Sequence, residues 1–386
     1  MSNLAEKLSP TEIWMAYDHI EGLHGKTPLI YFGLIHQDGF EVDVWAKMDI
    51  LNPGGSFKDR GAEYFIFKAI KSGLTKKGDT IVTASAGNHA KGVAKAAREY
   101  GLKAVIYMSD KTPQKKLHDT EELGGIIEKV EGDYHKAAEE AMRFAGENNS
   151  LYVPAYEHEH IITGQSTVVT ETMIQLAEFG IRPDFFVYPV GGGGLANGGG
   201  FAANHFDSAW YFLFPDYGRK LHNFGVQAHN FNTMFRSFHA GTVLPHEERG
   251  DTIADGIKVR NASEEMLRLS LTYLDDMFDV TEEQIRNAIR RVYNSELIRR
   301  LQELPQEELI KKYGFSSNHA NGISRMNVVE GAAASAFACA FAEDKIPYEK
   351  IAKNIHPRKN IVGVVVASGN NIDQKLLEDI LAEEKN

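Results

Sequence analysis

The residue best placed to act as a nucleophile is a lysine in a turn of glycine and serine. The segment reads Asn52-Pro53-Gly54-Gly55-Ser56-Phe57-Lys58-Asp59-Arg60-Gly61-Ala62. Proline and paired glycines make a tight turn. Ser56 is expected to cap the helix that follows, with Lys58 near its start. A cation at the positive end of a helix is badly placed as a structural charge. The same surroundings lower an amine's pKa and favour the neutral form that attacks a carbonyl to give a Schiff base.

Two more turns have the same strand-to-helix setting. Thr83-Ala84-Ser85-Ala86-Gly87-Asn88-His89-Ala90 combines small residues with a helix start. Exposed backbone N–H groups there form an anion site that suits a substrate carboxylate. Asn88 adds both a donor and an acceptor. Tyr188-Pro189-Val190-Gly191-Gly192-Gly193-Gly194-Leu195 lets the backbone approach a phosphate closely. It is neither the Lys-Ser/Thr phosphate loop nor the spaced glycine pattern of dinucleotide sites. The loop alone does not fix the cofactor class.

These turns need rigid elements around them. Apolar runs at 81–84, 104–108, 185–190 and 361–367 predict strands buried on both faces. Helical periods fall near 58–72, 88–100, 134–148, 160–179, 281–295 and 327–342. The alternation predicts an α/β fold with mostly parallel sheets, whose ligands sit beyond the carboxyl ends of the strands. A chain of 386 residues is long enough for two lobes. A net charge of -11 argues against a nucleic-acid partner. No window is apolar enough to span a membrane, residues 1–10 lack the apolar core of a signal peptide, and a cytoplasmic location is expected. The lone Cys339, in an alanine-rich run, reads as packing in a reducing compartment. Two stretches have no assigned chemistry: the aromatic-rich 204–224 and the charged, then polar, 295–321.

Taken together and in order, the three turns resemble the fold-type II pyridoxal 5′-phosphate (PLP) enzymes, the tryptophan-synthase-β-like group. The nearest branch is that of the serine/threonine dehydratases and serine racemase. Further segments are similar: Gly25-Lys26-Thr27-Pro28-Leu29, Ile162-Thr163-Gly164-Gln165-Ser166-Thr167, Thr252-Ile253-Ala254-Asp255-Gly256-Ile257, Val329-Glu330-Gly331-Ala332-Ala333 and Ala367-Ser368-Gly369-Asn370-Asn371. The resemblance implies two lobes, each a mostly parallel twisted sheet flanked by helices, with PLP in the cleft between them. The large lobe would be 1–78 plus 166–386, and the small mobile lobe 79–165. A C-terminal regulatory domain is not expected.

The resemblance also implies roles. Lys58 is the catalytic residue and holds PLP as a Schiff base, with Phe57 near the ring. Asn88 bonds the 3′-hydroxyl. Gly191, Gly192, Gly193, Gly194 and Leu195 bind the phosphate through backbone N–H groups. Gly256 lines the cofactor pocket and Ser368 faces the pyridine nitrogen. Ser85, Ala86, Asn88 and His89 surround the substrate carboxylate. The implied reaction is loss of water from threonine or serine to give a 2-oxo acid and ammonia. The partner is a small amino acid, and the assembly a homodimer or homotetramer.

Three departures bear on this. Ala86 stands where serine racemase has a serine and has no proton to give, which favours dehydration over racemisation. Gln227 stands where several branch members have an acidic metal ligand, so no metal site is expected. The stretch Ala155-Tyr156-Glu157-His158-Glu159-His160 differs from the family's usual sequence where selectivity would be set, and reads as a polar helix start. The alternatives are a cysteine- or threonine-synthase-like β- or γ-replacement enzyme, a racemase-like enzyme, and a non-catalytic PLP-binding protein.

Overall fold

Ten strands in two sheets carry the fold of the computed structural model, which describes residues 3–213, 220–313, 319–320, 323, 329–342, 344–353, 360–369 and 372–383. In chain order the strands are β1 Leu29–Gln37, β2 Phe40–Met48, β3 Thr80–Ala84, β4 Lys103–Ser109, β5 Gly125–Val130, β6 Leu151–Tyr152, β7 Phe185–Pro189, β8 His222–Ala228, β9 Asp276–Val280 and β10 Ile361–Ala367. One sheet has the order β1-β2-β10-β7-β8-β9, the other β5-β4-β3-β6. Every pairing is parallel except β1 with β2. This is the α/β, mostly parallel arrangement expected, and the four apolar runs read as strands are β3, β4, β7 and β10. All four strands of the smaller sheet fall within 79–165.

The antiparallel pair is a hairpin that the reading of the sequence did not anticipate. Its turn is Asp38-Gly39, with φ of 51° and 81°. Two successive left-handed residues match the strand twist in a two-residue hairpin, and Asp-Gly is a preferred pair for it. The signal was in the sequence, between the apolar run 29–35 and the alternating run 40–46.

Helices cover the sheets, and glycines set how close they come. A Cβ on Gly164 of the Glu159–Glu178 helix would lie 2.6 Å from the carbonyl oxygen of Arg60 and 2.7 Å from Cα of Gly61, in the Lys58–Lys71 helix. A Cβ on Gly92 of the Asn88–Tyr100 helix would lie 3.0 Å from the carbonyl oxygen of Lys58. Backbone therefore meets backbone around the lysine, and its position is tied to two other helices rather than to a loop alone.

Beneath the lysine helix the packing is ionic. Arg60, 1% exposed, donates to both oxygens of Asp49 (2.8 and 3.0 Å) and both of Glu171 (2.9 and 3.2 Å). Lys47 donates to Glu171 at 2.5 Å, to the Thr27 carbonyl at 2.7 Å and to Gln175 at 2.7 Å. The Thr27 hydroxyl donates to Asp49 at 2.7 Å. Two cations face two carboxylates, and this compensation makes burial of four charges tolerable. Burial works against the Glu171 charge, but Arg60 and Lys47 outweigh it and hold the carboxyl down to about 2.

Other expectations can be placed. Ser56 is not the N-cap: Phe57 is, with no side-chain cap bond, and Ser56 Oγ accepts from the Lys58 amide at 3.2 Å. The helix thus begins one residue later than a Ser56 cap implies, and the hydroxyl still meets the first helical N–H. Cys339 is buried within the Gly331–Phe341 helix, and burial pushes its thiol pKa up. Stretch 204–224 is the end of the Gly194–Leu213 helix and the start of β8; residues 214–219 and the side chains of 209–213 lie outside the described residues. Stretch 295–321 contains the helices Glu296–Glu303 and Gln306–Tyr313; residues 314–318 and 321 lie outside, as do 327–328, Asn370 and Asn371. Among the described residues no helix is long and apolar enough to cross a membrane.

Candidate active site

Parallel pairing gathers the site. β2, β10 and β7 are neighbours running the same way. The segments after them therefore leave at one edge: the lysine loop, Ser368 and the tetraglycine loop. This is where ligands bind in open parallel sheets.

Contacts link these segments into a ring. The Phe57 amide donates to Ser368 Oγ at 2.7 Å, tying the lysine loop to the end of β10. Ser368 is 2% exposed, and as an acceptor here it keeps its own proton to donate. The part-buried Lys58 amine lies 5.2 Å from the centre of the Phe57 ring and donates to the Ala155 carbonyl at 2.7 Å. The next residue, Tyr156, lies on the glycine loop: a Cβ on Gly192 would come within 2.5 Å of its ring, and one on Gly194 within 3.1 Å of its Cβ. Gly191 approaches the following segment, where a Cβ would meet Ile257 Cα at 3.3 Å and the Gly256 carbonyl oxygen at 3.5 Å. Gly193 faces Asn197, and the Leu195 side chain points into the core.

Glu330 closes the ring. Its Oε1 accepts from Asn88 Nδ2 at 2.9 Å, and its amide donates to the Gly369 carbonyl at 3.0 Å. The same carboxylate fills the space that a Cβ on Gly256 or on Gly369 would take. Gly256 thus makes room for an acid. Asn88 Oδ1 is buried and has no hydrogen-bond partner among the described residues.

The SxGNH turn is arranged differently along its length. Ser85 Oγ accepts from the Gly87 amide at 3.2 Å, and the Ser85 amide donates to the Tyr107 carbonyl. Ala86 packs against the apolar cluster around Ala90 and Val93. The Asn88–Tyr100 helix begins with no side-chain cap bond, which leaves N–H groups of its first turn to meet an anion. The His89 ring is turned away, 4% exposed, with Nε2 3.2 Å from the Val153 carbonyl. Burial first, then the Lys58 charge, push its pKa down to about 3, so the ring stays neutral. Any contact of His89 with a substrate carboxylate is left to its backbone.

Burial pushes the Lys58 pKa down to about 8. The sequence pointed to a depressed pKa through the helix terminus; desolvation is the cause identified here. The neutral amine therefore becomes dominant above about pH 8 rather than above the ordinary lysine value. The rate at which apoprotein captures PLP covalently is expected to rise about tenfold per pH unit below pH 8 and then to level. Stopped-flow absorbance checks this, and a rate still climbing beyond pH 9 would contradict it.

Three members of the ring were not singled out from the sequence: Ala155 as an acceptor, Tyr156 on the glycine loop and Glu330 on Asn88. Gln227 is committed to packing: its Nε2 donates to Val190 at 3.0 Å and its Oε1 accepts from Phe235 at 2.8 Å. His158 starts its helix as expected, Nδ1 accepting from the His160 amide at 3.1 Å.

With this geometry in hand, the comparisons agree on the class. Residues 20–299 match the family model described as pyridoxal-phosphate dependent enzyme, and the chain belongs to that family. It is 30% identical to the L-threonine dehydratase biosynthetic IlvA of Haemophilus influenzae, over 79% of this chain and 56% of that one. It is 33% identical to the L-threonine ammonia-lyase of Thermotoga maritima, over 64% of this chain and 57% of that one. The chain thus spans little more than half the length of these curated relatives. Among solved structures, the processed form of threonine deaminase isoform 2 from Solanum lycopersicum superposes with a TM-score of 0.69 at 26% identity, covering 99% of this chain and 88% of that one.

The residues present fit PLP. A buried acceptor on Asn88 lacks a donor, a glycine loop offers backbone N–H groups, a buried hydroxyl keeps its proton, and an amine of lowered pKa lies among them.

Proposed function

We propose that this protein is a PLP-dependent dehydratase (ammonia-lyase) of threonine or serine, eliminating water from a β-hydroxy amino acid to an enamine acid that water then hydrolyses to a 2-oxo acid and ammonia. The reading is carried by the closed ring that holds Lys58, Asn88, Ser368 and the glycine loop on one another, and it is supported by relatives named for that activity. Bound PLP supplies electron withdrawal from the substrate's α-carbon.

The chain's own residues do the rest. Lys58 anchors the cofactor and, once displaced by substrate, takes the α-proton on Nζ as general base. Ser368 donates to the pyridine nitrogen. A hydroxyl cannot hold a proton there as a carboxylate would, and this favours elimination over transamination. N–H groups of Gly191, Gly192, Gly193, Gly194 and Leu195 take the phosphate. The Ser85 hydroxyl and backbone N–H groups of Ala86, Asn88 and His89 take the substrate carboxylate. Ala86 offers no second proton donor, against racemisation. Phe57 lies against the cofactor ring, and the Gly256 segment walls the pocket. The same reading places PLP between a lobe of 79–165 and a lobe of 1–78 plus 166–386, in a cytoplasmic homodimer or homotetramer without a bound metal.

The test is an absorbance spectrum of the purified holoprotein before and after L-threonine or L-serine, with product assayed in the same cuvette. A visible band that shifts on addition, with 2-oxo acid and ammonia released in equal amounts, is expected. Release only when a second nucleophile is added would replace this reading with β-replacement.

A further inference from the structure

Glu330 closes the ring but has been given no chemical task, and its setting is unusual. It occupies the N-cap position of the Gly331–Phe341 helix, and its side chain makes no cap bond to that helix. An acid at this position ordinarily serves its own helix. Here, 4% exposed, it reaches across 242 residues of sequence to Asn88. Gly256 and Gly369 both lack a side chain where its carboxylate lies. Lys91, on the helix that Asn88 begins and 8% exposed, is near enough for its charge to interact with Glu330.

The chemistry of the contact fixes the orientation of the amide. An ionised carboxylate only accepts, so it selects the nitrogen end of Asn88. The oxygen end is then the one left over, and Oδ1 is the buried atom without a partner. Resting on the placement of Asn88 at the cofactor, we propose that Glu330 is a positioning residue: it locks the Asn88 amide so that Oδ1 is presented to the cofactor's 3′-oxygen. An acceptor there favours the protonated 3′-oxygen. A flipped amide would present N–H donors and favour the oxyanion.

Glu330→Gln removes the lock, because glutamine can accept from Nδ2 or donate to Oδ1. In the holoprotein at fixed pH, the visible band, which reports the deprotonated 3′-oxygen, is expected to gain on the near-ultraviolet band. The gain should be at least about threefold, the scale of one hydrogen bond on an equilibrium. Asn88→Asp combined with Glu330→Gln swaps donor and acceptor, presents an acceptor oxygen again, and should return the ratio toward that of the unaltered protein. Asn88→Ala serves as control. If it changes the ratio while Glu330→Gln does not, the inference is overturned and the reading of Asn88 stands. If neither changes it, the placement of Asn88 has failed, and the inference with it. A changed ratio that the swap does not restore also overturns it, since general loosening would explain the change. Should Glu330→Gln not fold, Gly256→Ala, which displaces the carboxylate and leaves every charge in place, should raise the ratio in the same sense; an unchanged ratio there overturns the inference.

Discussion

Replacing Lys58 with alanine is expected to abolish turnover, by at least about 10³-fold, and to leave PLP held only without a covalent bond. Two losses combine. The variant has no amine to anchor the cofactor, and no group at that position to take the α-proton. The surroundings should survive, because the fold depends on the backbone of residue 58 against Gly92, and the Lys58 side chain makes a single hydrogen bond among the described residues, to Ala155. Borohydride reduction followed by denaturation separates the cases: the unaltered protein should keep its label and the variant should lose it. Turnover persisting in a folded variant would remove Lys58 from the mechanism.

Glu171→Gln is expected to destabilise the protein by about 3–5 kcal/mol, the cost of leaving a buried charge uncompensated. Two cations, Lys47 and Arg60, would then share the one carboxylate of Asp49, and position 171 would keep a single acceptor oxygen for the Thr27 amide, Lys47 and Arg60 in place of two. Chemical denaturation at pH 7 measures the loss, and a midpoint within error of the unaltered protein would refute it. The acid limb gives a second reading. Because the Glu171 carboxyl is held at about 2, below its ordinary value, its contribution is complete above the ordinary range and is lost as pH falls toward about 2. The difference between the two proteins should therefore shrink over that window.

What could be read from the sequence followed the range of the signal. Strand β10 coincides with the apolar run 361–367, and the helices at 58–71 and 88–100 differ by no more than a residue from the periodic stretches, since burial of a whole face leaves a local pattern. The lysine loop, the glycine loop and Ser368 were found through a motif. Their mutual contacts were not, because Phe57 with Ser368 and Asn88 with Glu330 are separated by hundreds of residues, and periodicity carries no information at that distance. The buried ion network was missed for a different reason. Lys47 and Glu171 are fully buried charges in elements that carry other, more exposed ones, which a reading by average composition does not tell apart; a charge that interrupts a buried run was the available clue. His89 shows a different limit: the motif assigned the residue to the substrate carboxylate without saying which of its groups would serve, and the structure commits its ring to Val153.

The position of β10 bears on how the protein is made. It is the last of the ten described strands in the chain but third in its sheet, between β2 and β7. A nascent chain that has not yet reached it exposes two unpaired edges, the state most open to misassociation and to chaperones. The Phe57–Ser368 bond joins residues 311 apart. PLP loading is therefore expected to follow the emergence of residue 368 from the ribosome, which makes coenzyme capture a late step in biogenesis rather than a nucleus for it.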